Sequence, residues 1–361
     1  MNRSAMSRRG FLGLGAGSLL GLAGCGVAGI GSGSGDTSLT MFHWAGDQAT
    51  VPVRVGDEYA AAHGVKISYI EGTNAETFPK LVSSVQIDAG DPLLNLGFFN
   101  AQSFATGENS DLWLAVPDSV ENLANVLPDY RIVSGHGAFM VMDAMGLIYN
   151  TEAFPTPPAS WMQLFDSKYQ GKVTTWDAPA FGLNGLPVIA RIQGGDEGDF
   201  TLGMDEYAKA ARRGQFSGFV ASNDQLRKQL KAGEVVLAPG FQGVAQSWMD
   251  AGDPIGFAVP EEGVMAFPEG FQIIKGSTEG QVDAAAGLMD EIFDPANVSA
   301  YCAATATIPL VDGATLDKKY ADLKSFQLET VTSSIQLDWA TLVAATEDAT
   351  TVWNDEVKSR M

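Results

Sequence analysis

The sequence predicts an α/β protein in which helices cover sheets, and three observations carry that expectation. From Ser38 onward, short β-rich runs alternate with runs of helical period. About 320 residues follow that point, enough for two lobes with cores of their own. No segment repeats at a period of about 20 to 50 residues, so a solenoid or propeller is not expected.

The first 25 residues read as an export segment rather than as part of the fold. Ser7-Arg8-Arg9 leads into an apolar run too short to span a bilayer, which stops at Leu22-Ala23-Gly24-Cys25. Paired arginines point to the twin-arginine exporter. The Leu-Ala-Gly-Cys ending resembles a bacterial lipobox, which implies acylation of Cys25 as the mature N-terminus; a plain cleaved signal with an incidental cysteine is the alternative. Residues 26–37, mostly glycine and serine, have the composition of a flexible tether.

In the folded part, residues 38–44 read as a strand, 51–63 as a helix, 65–69 as a strand and 77–89 as a helix. A buried strand at 93–98 and a short helix at 101–106 follow, then a long apolar segment at 138–149 containing Gly146. A second series opens with a helix at 161–166 and a strand at 172–176. Helices at 201–213, 223–232 and 241–251 continue it, with strands at 216–221, 235–239 and 255–259. Residues 266–275 are strand-like again, and helices at 281–293, 295–304 and 334–358 finish the chain.

Composition excludes several classes of function. The formal charge is −21, and it falls to −24 once residues 1–24, with three arginines and no acid, are removed. Phosphate backbones are held by clustered Lys and Arg, and no such cluster occurs, so nucleic acid is not an expected partner. The acidic field would draw a cationic small molecule, or would serve solubility or salt adaptation alone. If Cys25 is lipidated, Cys302 is the one remaining thiol. With the scattered His43, His63 and His136 it makes no zinc-ligand spacing, so no metal or other cofactor is expected. The Gly-x-Gly-x-x-Gly match at Gly24, Gly26 and Gly29 straddles the export cleavage site, and no nucleophile elbow or phosphate loop occurs, which argues against an enzyme.

Several segments, taken in order, resemble the polyamine and related substrate-binding proteins of ABC importers, two-lobed periplasmic binding proteins of the second structural type. They are residues 39–44, 64–67, 146–150, 158–165, 168–173 and 254–263. The resemblance covers residues 38–309 and rests on the order of these pieces rather than on any one of them. It implies lobe 1 from residues 38–141 and 266–312, and lobe 2 from 146–262, joined by two crossing segments. The closing helices, 313–361, would pack on lobe 2, and a cleft between the lobes would take the ligand.

In such lobes the loops after the strands face the cleft. Trp44 follows the first strand, where similar proteins set an aromatic ring against a polyamine; a half-buried core tryptophan is the alternative. Asp177 matches a carboxylate position of the relatives but also suits a helix N-cap before Ala178-Pro179. A second acid expected three residues on is Ala180 here. Phe241 and Gln242 match an aromatic and an amide of the relatives, and Phe267 and Glu269 an aromatic-x-acid trio; ordinary core and a solvated charge are the alternatives. Asp143 interrupts the apolar segment before Gly146 and is a candidate replacement for the acid missing at Ala180. Ser222 opens a Ser-x-x-Gln capping box and is a candidate for the acidic end of an amphoteric ligand. Phe99 and Asn100 follow the third strand and complete the candidates.

The resemblance implies a monomeric solute-binding lipoprotein at the outer face of the cytoplasmic membrane or in the periplasm. It would capture a small organic cation or amphoteric solute, polyamine first, and deliver it to ABC permease subunits. A ferric-ion or amino-acid-derivative binder on the same fold remains open. A ferric site commonly uses a Tyr-Tyr pair, which is absent. An enzyme and a surface lipoprotein that binds a macromolecule are the more distant alternatives.

Overall fold

The computed structural model describes residues 37–361 apart from 179–180, 196–199, 221 and 336. The paired arginines, Cys25, residues 26–36 of the tether and Ala180 therefore lie outside the described residues.

Strand β1 (Ser38–Trp44) alternates faces, burying Leu39 and Met41 on one side and Phe42 on the other. Helix α1 (Thr50–His63) stops at Gly64, whose φ of 68° supplies the left-handed cap. Strand β2 (Lys66–Gly72) leads through Thr73, whose side chain caps the next helix by accepting from Glu76 N–H, into α2 (Asn74–Ile87). Strand β3 (Leu96–Asn100) and α3 (Ala101–Asn109) complete a unit in which β2, β1 and β3 lie parallel.

The apolar segment is one 13-residue strand, β4 (Ala138–Asn150), almost wholly buried. Gly146 allows a neighbouring strand to approach, because a Cβ there would sit 2.6 Å from the Ala258 carbonyl and from the Phe257 ring. The expected helix at 161–166 is a 3-10 turn, Trp161–Phe165, fixed by a Ser160/Gln163 capping box. Beyond it come β5 (Val173–Trp176), α4 (Phe181–Ile192), α5 (Thr201–Arg212), β6 (Phe216–Val220) and α6 (Asn223–Lys231). Next are β7 (Leu237–Phe241), α7 (Gln242–Asp250) and β8 (Ile255–Ala258).

Helix α4 has no counterpart in the sequence reading. Residues 182–190 are all buried, so no polar face marks the helical period, and two glycines and a proline dilute the propensity. The glycines are required by packing: a Cβ on Gly182 would meet the Trp176 carbonyl at 2.6 Å, and one on Gly185 the Tyr207 hydroxyl at 2.7 Å.

The chain returns through β9 (Met265–Ile273), α8 (Glu279–Ile292), α9 (Pro295–Thr305) and β10 (Ile308–Pro309). The expected closing helix at 334–358 begins later, as α11 (Trp339–Glu356), after a short α10 (Leu328–Thr332) and an extended contact at Ile335. Asp338 starts α11 by accepting from Thr341 N–H at 3.1 Å. Helix α11 packs on α4 and α5 and also reaches α3.

The ten strands of the described residues form one sheet, in the order β2-β1-β3-β9-β4-β7-β5-β6, with β8 and β10 also on β4. Parallel strands occupy the two ends, and the antiparallel pair β4–β9 joins them. Strand β10 pairs with Val141 and Met142, β7 takes over from Met145, and between these Asp143 and Ala144 pair with Phe267 and Ala266 of β9. The sheet therefore narrows to two strands at Asp143–Ala144, with Ile335 bridging Met265 beside them. Each end has its own cores on both sheet faces. Leu96, Phe98, Phe271 and Met289 oppose Phe42, Phe99 and Trp113 in the first lobe. In the second, Leu147, Val173, Leu186 and Tyr207 oppose Ile148, Val220, Leu230 and Trp248.

Candidate ligand cavity

A cavity of about 590 Å³ opens where the carboxyl ends of β1, β2, β5, β6 and β7 converge. This is the position at which α/β sheets bind ligands, because strand-to-helix turns there expose side chains and helix N-termini. Both lobes contribute: Trp44, Asp47, Gln48, Asn74 and Glu76 from one, Trp176, Asp177, Phe181, Ser222 and Phe241 from the other. Asp143, on the two-strand neck, closes the back.

Trp44 is held by its indole N–H, which donates to Asn74 Oδ1 at 2.8 Å, and by an edge-on contact with Phe98. Trp176 is fixed in the same manner by donating to the Pro239 carbonyl at 3.0 Å. Phe181 and Phe241 stand edge to face, 4.8 Å between centroids. Two indoles and two phenyl rings thus face the cavity, each a surface for a cation at about 0.5 to 2 kcal/mol.

Asp143 is 4% exposed, and its Oδ1 accepts from the backbone N–H of Ala144 at 2.7 Å and of Gly243 at 3.3 Å. Burial pushes its carboxyl up to about 7, and the two N–H donors offset only part of that cost. Glu269 lies on the same side of the sheet two pairs along, fully buried, with Oε2 unpartnered in the structure. Burial first, and then the Asp143 charge, raise its carboxyl well above the usual range.

Asp177 lies on the cavity wall, but its carboxylate is already engaged. Oδ1 accepts from Ala178 N–H at 2.9 Å and from Trp353 Nε1 at 3.1 Å, and Oδ2 pairs with the Lys358 ammonium. Ser222 also lines the cavity, while its hydroxyl caps α6 by accepting from Gln225 N–H at 3.2 Å.

The remaining candidates lie off the cavity surface, and strand alternation explains most of them. Phe99 is fully buried against Phe42 and Trp113 on the far face of β3. Asn100 spends its side chain capping α3, accepting from Ser103 N–H at 2.9 Å. Phe267 stacks behind Phe241, 5.1 Å away, as a second layer. Glu269 sits behind Asp143, and the Gln242 amide is buried away from the lining, with both polar atoms unpartnered.

The sequence reading missed Asp47, Gln48, Asn74, Glu76, Trp176 and Phe181. The signal for Asn74 was available: a strand ending at Gly72-Thr73 before a helix is the same strand, cap and helix arrangement that singled out Ser222. Asn74 Nδ2 and Gln48 Oε1 have no partner in the structure, leaving one buried donor and one acceptor for a ligand. Asp47, Glu76, Asp143 and Asp177 line the cavity, and no lysine, arginine or histidine is among the described residues that do.

A two-lobed fold with a cavity between its lobes is the architecture of a solute-binding protein. The chain belongs to the bacterial extracellular solute-binding protein family, whose pattern it matches over residues 55–327. A Salmonella typhi protein, provisionally named a 2-aminoethylphosphonate-binding periplasmic protein, is 23% identical over 238 residues, 62% of this chain and 64% of that protein. The chain thus covers less than two thirds of that relative. An ABC transporter substrate-binding protein from Bradyrhizobium japonicum USDA 110 superposes with a TM-score of 0.72 at 17% identity, over 90% of this chain and 99% of that one. A Listeria monocytogenes protein provisionally named a spermidine/putrescine ABC transporter gives 0.70 at 15% identity, over 88% of this chain and 99% of that one. At such identities the likeness establishes the fold.

Proposed function

We propose that the cavity captures a small organic cation, or an amphoteric solute with a cationic end, for delivery to the membrane subunits of an ABC importer. The observation that carries this reading is the lining: four carboxylates and four aromatic rings, with no basic side chain among its described residues. Such a wall attracts a desolvated ammonium and repels a simple anion, whereas an ammonium buried without acceptors would cost several kcal/mol. Trp44, Asp143, Phe241 and Ser222 are the proposed contacts from the sequence candidates, joined by Trp176, Phe181 and Asn74. Polyamines fall within the class. An amphoteric solute such as 2-aminoethylphosphonate, named for the Salmonella typhi relative, is favoured by the unpartnered Asn74 Nδ2 donor, which suits an anionic end.

In this reading the protein leaves the cytoplasm through its Arg8-Arg9 signal and is held at the membrane by acylated Cys25, with the tether setting its reach. Thermal-shift screening against amines, amino acids, aminophosphonates, ferric ion and dicarboxylates tests the ligand class. A cation or amphoteric solute at a hundred times its dissociation constant stabilises by about 2.7 kcal/mol. Stabilisation by dicarboxylates or ferric ion alone would overturn the reading.

A further inference from the structure

One cation already sits at the cavity wall, and the chain supplies it. The Lys358 ammonium rests on the Asp177 carboxylate, with the Phe219 ring centroid 5.9 Å away. A carboxylate beside an aromatic face is how a primary ammonium is recognised. Asp177 is part of the lining, and its Oδ2 is held by Lys358 while Trp353 and Ala178 hold Oδ1.

The Lys358 side chain is half-exposed, but the backbone that carries it is firmly placed. It follows α11, which is anchored by fully buried Trp353 and Val357. Trp353 packs on Tyr207 and Phe219 and itself donates to Asp177. An ammonium tethered in this way acts at an effective concentration of about millimolar or above, so a solute must displace it to reach the carboxylate. Asp143, by contrast, is buried at the back of the cavity and hydrogen-bonded by backbone N–H groups alone. Asp47 and Glu76 are exposed, where water screens them.

We propose that Lys358 is a built-in counter-ion that fills a second cation subsite at Asp177, so that the protein selects solutes with one cationic head over diammonium solutes of equal length. This rests on the cation-binding reading above and narrows it. Lys358 is a specificity-determining residue that never needs to touch the solute.

Calorimetric titration with butylamine and putrescine, and with pentylamine and cadaverine, tests it. In the wild type each diamine binds within about threefold of its monoamine, because Asp143 is the one buried carboxylate of the lining and Asp177 is taken by Lys358. Lys358→Met shifts that ratio toward the diamine by about tenfold or more, the worth of one charge-assisted hydrogen bond. Lys358→Gln, which removes the charge but keeps a donor, shifts it in the same direction, and Lys358→Arg preserves the wild-type ratio. Adding Asp177→Asn to Lys358→Met abolishes the shift. An unchanged ratio in folded Lys358→Met and Lys358→Gln proteins, or a wild type that already prefers diamines tenfold, overturns the proposal and leaves cation binding intact. A wild type that binds neither kind of amine overturns both.

Discussion

Asp143 combines burial, a cavity position and backbone donors in one side chain, and its protonation sets two opposite pH trends. Its carboxyl titrates near 7 in the folded protein against an ordinary 3.8, so the folded state holds a proton that the unfolded chain has lost. Stability without ligand is therefore fullest below about pH 4 on this account and declines as pH rises toward 7, with Glu269 acting in the same direction. Cation affinity runs the other way, because the attractive form is the carboxylate. Binding of a quaternary ammonium solute should tighten as pH rises through 7, and Asp143→Asn should weaken it by about tenfold or more and flatten the profile. Calorimetry across pH checks both; unchanged affinity in the variant would remove Asp143 from the site. Trp44→Ala should cost about threefold to thirtyfold in cation affinity, the range of one cation–π contact. Trp44 and Asp143 were readable from sequence because each breaks the local pattern, one ending a strand and the other charging an apolar run. Phe99 and Phe267 misled because an aromatic at a strand end looks the same from either face, and pairing register decides which face it takes.

At the scale of elements, the cavity is built where strands hand over to capped helices. Thr73 and Ser222 perform the same task in opposite lobes, setting the first turns of α2 and α6 at the cavity edge. Thr73→Ala should cost about 1 kcal/mol of stability and weaken ligand binding as well, since Asn74 opens the helix that it caps; chemical denaturation and titration on one sample compare the two effects. Helix α4 shows where sequence reasoning runs out. It is buried nearly all round, and its glycines and proline look like loop signals until the packing shows what they allow. Gly182→Val should destabilise by about 1 to 3 kcal/mol through overpacking against the Trp176 carbonyl. It should also impair binding, because Trp176 and Phe181 both line the cavity. Full binding in the variant would show that the wall does not depend on this approach.

For the whole molecule, the alternation of strand and helix was enough to expect two α/β units, because each unit's order is local in the chain. The single continuous sheet was harder to see, since strands more than a hundred residues apart pair in it, as β3 does with β9. The reach of α11 to α3 as well as to α4 and α5 was equally hidden, because docking of a terminal helix leaves no sequence signal beyond its apolar face. If ligand closes the cavity between the lobes, solution scattering should show a smaller radius of gyration with saturating solute than without it. An invariant radius would mean that the cavity fills without closure.

The neck gives this arrangement a mechanical reading. Two-stranded ribbons carry a larger twist than wider sheets do. At Asp143–Ala144 the sheet is such a ribbon. Torsion about the segment that carries the buried carboxylate is the expected course of any relative motion of the lobes. A group placed on an axle moves least when the wheel turns: under such torsion Asp143 would stay at the back of the cavity, while the walls at Trp44 and Trp176 would sweep toward or away from it.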